Sequence, residues 1–216
     1  MKISVNFGLI ILSLVTVIAA FLALNPVLWL VFGSFWSSYP GLPGEFTVSN
    51  YVDTLSSAGT YVVLMTSLMY ALGSSGISVF FGFAMAWIVV KTNTPFRRVL
   101  EIIPIISYMV PMVLLAIGYV FLFSPRIGIM NRYLMWIFNL ERPLFDIHSL
   151  SGMMWVMGIF EAPFAYLIIS AALMTMDSSL EESARVAGSG VLGTLRRVVI
   201  PLITPAILAA LTLNIV

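Results

Sequence analysis

The sequence predicts an all-α bundle of membrane-spanning helices, and two observations carry this prediction. Of the 216 residues, 61% are hydrophobic and 9% are charged, and the mean hydropathy is +1.08. A soluble domain usually carries about 25% charged residues, so these few charges cannot cover a water-facing surface. The charged residues also leave long gaps between them, and each gap is long enough for a helix that crosses a bilayer.

Composition excludes several classes of function. The 10 Lys and Arg side chains nearly balance the 9 Asp and Glu side chains, so no basic surface for nucleic acid is expected. Because the chain has no Cys, disulfides, cysteine nucleophiles and thiolate metal sites are excluded. A single His and few carboxylates argue against a metal cage. We therefore expect no catalytic residue, no cofactor site and no metal site in this chain.

Five spans are expected from the positions of the charged residues. A spanning helix needs about 20 mostly apolar residues, and the gap from Lys2 to Glu45 and the gap from Asp53 to Lys91 each hold one. At 1.5 Å per residue the last span reaches about 22 Å, short of a bilayer core of about 30 Å. We therefore expect the sequence to stop inside that helix. The expected spans are residues 7–35, 61–90, 99–123, 150–176 and 202–216, within a single membrane domain.

The basic residues predict the orientation of the bundle. Seven of the ten fall on one side of the expected spans, and the other three fall in one loop on the opposite side. Cytoplasmic loops carry the excess of Lys and Arg, so the N-terminus is expected in the cytoplasm and the chain in the cell inner membrane. The seven are Lys2, Lys91, Arg97, Arg98, Arg185, Arg196 and Arg197, and the three are Arg126, Arg132 and Arg142.

Shorter features lie between and within the spans. Residues 49–55 fit a short surface helix. Residues 129–140 are apolar and aromatic but too short to span, which predicts a helix at the membrane interface. In the second span, small residues recur at every fourth position, so a neighbouring helix is expected to pack closely there. These small residues are Ser74, Ser78, Gly82 and Ala86.

Two groups are candidates for a transport pathway. Pro104 and Pro111 flank Ser107 and Tyr108 in the third span, and each proline removes a backbone donor and frees a carbonyl. A broken, pathway-lining helix and a tolerated kink both fit this pattern. Glu161 lies in the fourth span, where an ionisable residue indicates a pathway or gate. The alternative for Glu161 is a structural carboxyl that holds a break in the helix.

Residues 177–201 form an ordered segment on the expected cytoplasmic side. Ser178 and Ser179 each precede a Glu by three residues, which predicts a capping box at a helix start. Gly188 and Gly190 indicate a turn between two short helices. The apolar residues follow steps of three and four and predict one apolar face, buried on the bundle, on lipid or on a partner protein. That face consists of Leu180, Ala184, Ala187, Val191, Leu195 and Val198.

The spacing within this segment resembles the EAA loop of ABC importer permeases, E-A-A-x3-G-x9-I-x-L-P. Here Glu182-Ser183-Ala184 is followed after three residues by Gly188 and after nine more by Val198-Val199-Ile200-Pro201. Three positions depart from the pattern, with Ser for the second residue, Val for the first Ile and Ile for Leu. Residues 100–131 are similar to the third-helix region of permeases for ferric iron, thiamine, polyamines and phosphonates.

The resemblance implies the type I, methionine-permease-like fold and a set of partners. The partners are an ABC ATPase subunit dimer, an extracytoplasmic solute-binding protein and a second permease half in the same or another chain. The sequence has no Gly-x4-Gly-Lys-[Ser/Thr] loop, so ATP is expected to be bound by the ATPase subunit. The solute would be like ferric iron, thiamine, a polyamine or a phosphonate. The implied ATPase-coupling residues are Glu181, Glu182, Ala184, Arg185, Gly188 and Pro201.

Three alternative functions belong to other classes of membrane protein. A secondary transporter driven by an ion gradient would use Glu161 as its coupling site, and it would leave the pattern of residues 177–201 unexplained. A membrane-embedded enzyme would need several catalytic polar groups at one depth, and Glu161 stands almost alone. A scaffold subunit would not transport, so an uptake assay separates it from the others.

Overall fold

The computed structural model describes residues 7–39 and 41–215, so Lys2, Pro40 and Val216 lie outside the described residues. The described residues are helical apart from loops and one isolated bridge between Trp36 and Phe46. The predicted all-α fold is confirmed. The chain divides into two compact units, one up to Leu64 and one from Met65 onward.

The first unit contains α1 (Phe7–Ser34), α2 (Ser49–Ser56) and the first turns of α3 (Ala58–Lys91). The side-chain amide of Asn50 donates to the backbone oxygens of Ser34 (3.0 Å) and Trp36 (2.9 Å). The hydroxyl of Tyr51 donates to the Ser34 hydroxyl at 2.7 Å. These bonds hold the short helix α2 against the end of α1.

The second unit contains the rest of α3 and every later helix. Among the described residues of the chain, four stretches are long and apolar enough to cross a membrane, or five if a bent helix pair is one span; the four are α1, α3, residues 150–175 and residues 191–215. The helices after α2 are α3 (Ala58–Lys91), α4 (Arg97–Tyr108), α5 (Met112–Phe123), α6 (Ile129–Phe138), α7 (Leu150–Thr175), α8 (Ser178–Val186), α9 (Val191–Thr194) and α10 (Ile200–Ile215), with a π-helical stretch at Leu195–Val199.

The expected third span, residues 99–123, is two helices in the structure. The axes of α4 and α5 differ by 98°, and the break covers residues 109–111. Pro111 stands just before α5, where its missing N–H costs nothing because the first helical amides have no intrahelical partner. Pro104 lies buried inside α4, which continues through it. The break therefore lies at the second proline and not at both.

Helix α7 forms the centre of the second unit, and α3 packs closely against it. A Cβ added at Gly82 of α3 would lie 2.6 Å from the Ala165 Cβ and 2.7 Å from the Tyr166 nitrogen. A Cβ added at Gly158 of α7 would lie 2.6 Å from the Ile77 Cβ. The close packing predicted for the small residues of α3 is confirmed, and all four of them are buried.

A hydrogen bond joins α10 to α3. The side-chain amide of Asn214 donates to the Ser78 hydroxyl at 2.6 Å. Ala210 and Ile203 of α10 are buried with the core residues of α3 and α7. Helices α3, α7 and α10 therefore form one packed block.

Candidate functional site

The 177–201 segment contains two short helices with a turn between them. The first helix, α8, is capped by Asp177, whose carboxylate accepts from the Ser179 backbone N–H at 2.9 Å. Ser178 and Ser179 lie inside the helix, so the predicted capping box is wrong, although the helix begins where it was expected. The hydrogen bonds from Ser179 hold the pKa of Asp177 below its ordinary value, because they favour the ionised carboxylate.

The turn lies at Gly188, whose φ is +84°. The Gly188 N–H donates to the Arg185 oxygen at 2.9 Å, and the Ser189 N–H donates to the Ala184 oxygen at 2.9 Å. A residue of positive φ after a helix is usually glycine, because a Cβ crowds the backbone there. The predicted turn between two helices is confirmed. Gly190, with φ −70°, begins α9 in an ordinary conformation.

The single apolar face predicted for this segment is not formed. The helical period cannot continue across the turn at Gly188, so the apolar residues divide into two sets. Of the predicted face, Leu195 and Val198 are half-buried and Leu195 packs against the core, whereas Leu180, Ala187 and Val191 are exposed. Val186, Val191 and Leu192 flank the turn and are 89%, 67% and 76% exposed. We call these three residues the apolar tip.

Exposed charged side chains lie on the same segment as the apolar tip. Glu182 and Arg185 are exposed on α8. An open cleft of about 480 Å³ is lined by Leu192, Gly193, Arg196 and Arg197. Exposed apolar patches rimmed by polar residues mark sites of interaction with a protein or a membrane.

One contact in this segment was missed by the sequence analysis. Glu181, in the first turn of α8, forms an ion pair with Lys91, the last residue of α3, and the Nζ to Oε1 distance is 2.6 Å. The motif residue Glu182, next to it, is exposed. The two members of the pair are 90 positions apart, and no local pattern links them. From the sequence, the charge of Lys91 predicts only which side of the membrane it faces.

The candidate pathway residues come together in part. The Tyr108 ring, at the end of α4, stacks on Phe160 and Phe164 of α7, each with ring centroids 6.1 Å apart. These two phenylalanines flank Glu161 in the sequence. Ser107 is exposed. Within the described residues, no group of three or more His, Asp or Glu side chains is placed to hold a metal ion.

Comparison with known families gives a match over more than half of the chain. Residues 78–216 match the model of the family described as "Binding-protein-dependent transport system inner membrane component". A probable ABC transporter permease protein of Sinorhizobium fredii is 29% identical over 178 residues, which are 78% of this chain and 28% of that protein. The chain is also 26% identical to the spermidine/putrescine transport system permease protein PotB of Escherichia coli, over 76% of the chain and 59% of PotB.

The similarity extends to a more distant relative and to solved structures. A probable sulfate transport system permease protein of a Helicosporidium species is 28% identical over 68% of the chain and 53% of that protein. The chain thus spans between about a quarter and three fifths of these relatives. The structure of a bacterial ABC transporter involved in alginate import has a TM-score of 0.68 and 22% identity, over 96% of this chain and 72% of that one. The permease fold expected from the resemblance is confirmed.

Proposed function

Because this chain belongs to the family of binding-protein-dependent transport system inner membrane components, we propose that it works as the membrane-spanning permease subunit of an ATP-binding-cassette importer. The family is one of transport components, and the relatives reported above are named as transport permeases, not enzymes. ATP would be hydrolysed by a separate ATPase dimer, since the sequence has no phosphate-binding loop.

The observation that carries the proposal is the apolar tip. Three large aliphatic side chains are exposed around a glycine turn; Val186 lies outside the stretches that are apolar enough to span a membrane, and Val191 and Leu192 are the first two residues of the stretch 191–215. An exposed apolar patch of this kind marks a surface that a partner protein or a membrane covers. We propose that the ATPase subunit covers it, with Arg185, Arg196 and Glu182 at the rim of the contact. This assigns the ATPase-coupling role to the segment that resembles the EAA loop.

The proposed orientation follows from the basic residues and agrees with that role. The 177–201 segment carries Arg185, Arg196 and Arg197 and would face the cytoplasm, where ATP is available. The N-terminus would lie on the same side. A solute-binding protein would dock on the opposite side. One of the similar solved structures is a bacterial alginate ABC transporter in complex with a periplasmic protein that carries an alginate pentasaccharide, which supports the proposed docking here.

In the proposed cycle, closure of the ATPase dimer moves the 177–201 segment. The segment joins α7 at one end and runs directly into α10 at the other, so its motion is transmitted to two spans at once. A second permease half, in the same or another chain, would complete the pathway. The break between α4 and α5 and the ring stack at Tyr108 would lie along it.

The test is retention of the ATPase by variants of the apolar tip. Leu192→Asp and Val186→Asp place a charge where the contact would exclude water, and we expect loss of both ATPase co-purification and solute uptake. The matched control is Leu144→Asp, an exposed leucine in the loop before α7. If both tip variants retain the ATPase and take up solute like the control, the tip is not the ATPase contact.

For the solute we propose a polyamine. The similarity to the spermidine/putrescine permease supports it. Glu161 of α7 is an acidic side chain within a membrane-spanning helix, and a carboxylate suits an amine cation. The relatives reported above give no support to iron. Uptake of labelled spermidine by cells that carry the transporter tests the proposal, and uptake of labelled sulfate without spermidine would replace it.

The main alternative is an ion-gradient transporter that uses Glu161, and the position of this carboxyl in α7 is the observation that favours it. Uptake that continues after the ATPase subunit is deleted, and that stops when the proton gradient is collapsed, would select this alternative. Uptake that requires the ATPase excludes it.

A further inference from the structure

The ion pair between Lys91 and Glu181 is nearly enclosed by protein. The two side chains are 12% and 10% exposed, and their charged atoms lie 2.6 Å apart. The pair joins the last turn of α3 to the first turn of α8. It therefore connects the segment proposed to contact the ATPase with a helix that is not adjacent to that segment along the chain.

The pair attaches this segment to a third helix. At one end, Met176 and Asp177 are extended and join α8 to α7. At the other end, the π-helical stretch continues into α10 without a break. The ion pair adds a contact between α8 and α3, which is not its neighbour along the chain.

The helix at the other side of the pair belongs to the packed block. α3 meets α7 at Gly82 with no room for a Cβ, and Ser78 accepts a hydrogen bond from Asn214 of α10. A displacement passed to the end of α3 is thus passed to all three helices. Close-packed interiors transmit such displacements because they have low compressibility.

We propose that Lys91 and Glu181 are positioning residues for coupling, and that their ion pair makes α8 and α3 move as one body when the ATPase dimer closes. This inference rests on the proposed function. A buried ion pair contributes little net stability compared with apolar residues, but loss of one member leaves an uncompensated charge. The pair therefore fixes the orientation of α8, and the formation of this helix does not depend on it.

The experiment uses the transporter with its ATPase and binding protein in vesicles, with labelled spermidine and labelled sulfate as probes. We expect Lys91→Met and Glu181→Gln to retain the ATPase and to hydrolyse ATP, while uptake per ATP hydrolysed falls about tenfold or more. The reversed pair, Lys91→Glu with Glu181→Lys, should recover most of the ratio. A purely structural role would lower uptake and hydrolysis together and leave the ratio unchanged.

The chain offers a matched control pair. Arg97 and Glu101 form an ion pair on α4 with nitrogen and oxygen 2.9 Å apart, but their side chains are 50% and 34% exposed. Exposed pairs of this kind contribute little, so Arg97→Met and Glu101→Gln should leave the coupling ratio unchanged. A normal ratio in Glu181→Gln would overturn the inference.

A second measurement covers variants that fail to accumulate. The chain has no cysteine, so Lys91→Cys with Glu181→Cys can be joined by a short bifunctional thiol reagent. If residues 91 and 181 stay in contact throughout the transport cycle, the crosslinked protein should couple ATP hydrolysis to uptake like the wild type. The same double variant without the crosslink should not. Loss of uptake on joining would overturn the inference. Failure of the wild-type chain to retain the ATPase would instead contradict the proposed function.

Discussion

The positive φ of Gly188 makes this residue the most sensitive position in the 177–201 segment. Space around it is open, so the effect of a side chain comes from the backbone alone. Gly188→Val should cost about 1–3 kcal/mol in the turn. We expect the permease to reach normal levels in the membrane and to lose ATPase co-purification and uptake.

Two variants control for this prediction. Gly188→Asn should retain most of the activity, because Asn tolerates this backbone conformation better than other residues. Gly190→Ala should be nearly neutral, since Gly190 has a negative φ and open space around it. Equal losses in Gly188→Val and Gly188→Asn would show that the positive φ is not the cause.

Asp177 gives a residue-scale prediction about pH. The pKa of Asp177 is lowered in the folded state, so the cap stabilises α8 above the ordinary Asp pKa and loses this effect as the pH falls below it. We expect the protection of amides at the start of α8, taken relative to the exchange rate of an unstructured chain at the same pH, to fall in acid. Asp177→Ala should show the low protection already at neutral pH, whereas Asp177→Asn should resemble the wild type. Wild-type protection in Asp177→Ala would contradict the role of this cap.

Single residues of the 177–201 segment differ in how well the sequence predicts their roles. The turn at Gly188 could be predicted because glycine at a helix end has a local conformational cause. The cap could not be assigned correctly, because Asp177, Ser178 and Ser179 all fit as capping residues and the choice shifts the helix by one position.

At the scale of the elements, the contact between α3 and α7 depends on Gly82. Gly82→Ala would place a Cβ within 3 Å of the backbone of α7, and backbone atoms cannot move aside as a flexible side chain can. We expect a loss of about 1–3 kcal/mol. Gly76→Ala on the same helix, where nothing lies within 4 Å, is the control. Thermal unfolding of the purified protein in detergent measures both, and equal midpoints would contradict the packing.

The break between α4 and α5 is the element that the sequence left open. Two prolines seven residues apart both fitted a break, but a helix accepts a proline where neighbouring groups compensate for the lost hydrogen bond. Pro104 is buried inside α4, and Pro111 begins α5. Only tertiary packing distinguishes the two positions. The spanning helices could be predicted, because a long apolar stretch between charged residues rarely forms anything other than a membrane-spanning helix.

At the scale of the whole molecule, the proposed orientation can be tested by labelling single cysteines. The chain is Cys-free, so each introduced cysteine is the only target. Asp53→Cys and Arg132→Cys should react with an impermeant reagent in intact cells, and Arg98→Cys and Arg185→Cys should react only after lysis. All four side chains are exposed. Labelling of Arg185→Cys in intact cells as fast as Arg132→Cys would reverse the orientation.

The fold and the family could be predicted from the sequence, because the composition indicates the fold and the spacing of one motif indicates the family. The contacts between segments that are distant along the chain could not be predicted. Lys91 pairs with Glu181, and Ser78 bonds to Asn214, across 90 and 136 positions. Such pairs arise from the packing of whole helices, and a single sequence contains no local signal for them.

The central claim is that the apolar tip contacts the ATPase subunit, and a crosslink tests it most directly. Leu192→Cys lies in the tip, and Trp136→Cys lies on α6; both side chains are highly exposed. A photoactivatable thiol reagent is attached to each variant in membranes that contain the assembled transporter. We predict that Leu192→Cys forms a crosslink to the ATPase subunit and that Trp136→Cys forms none. A transporter that takes up solute normally but gives no ATPase crosslink from Leu192→Cys would contradict the claim.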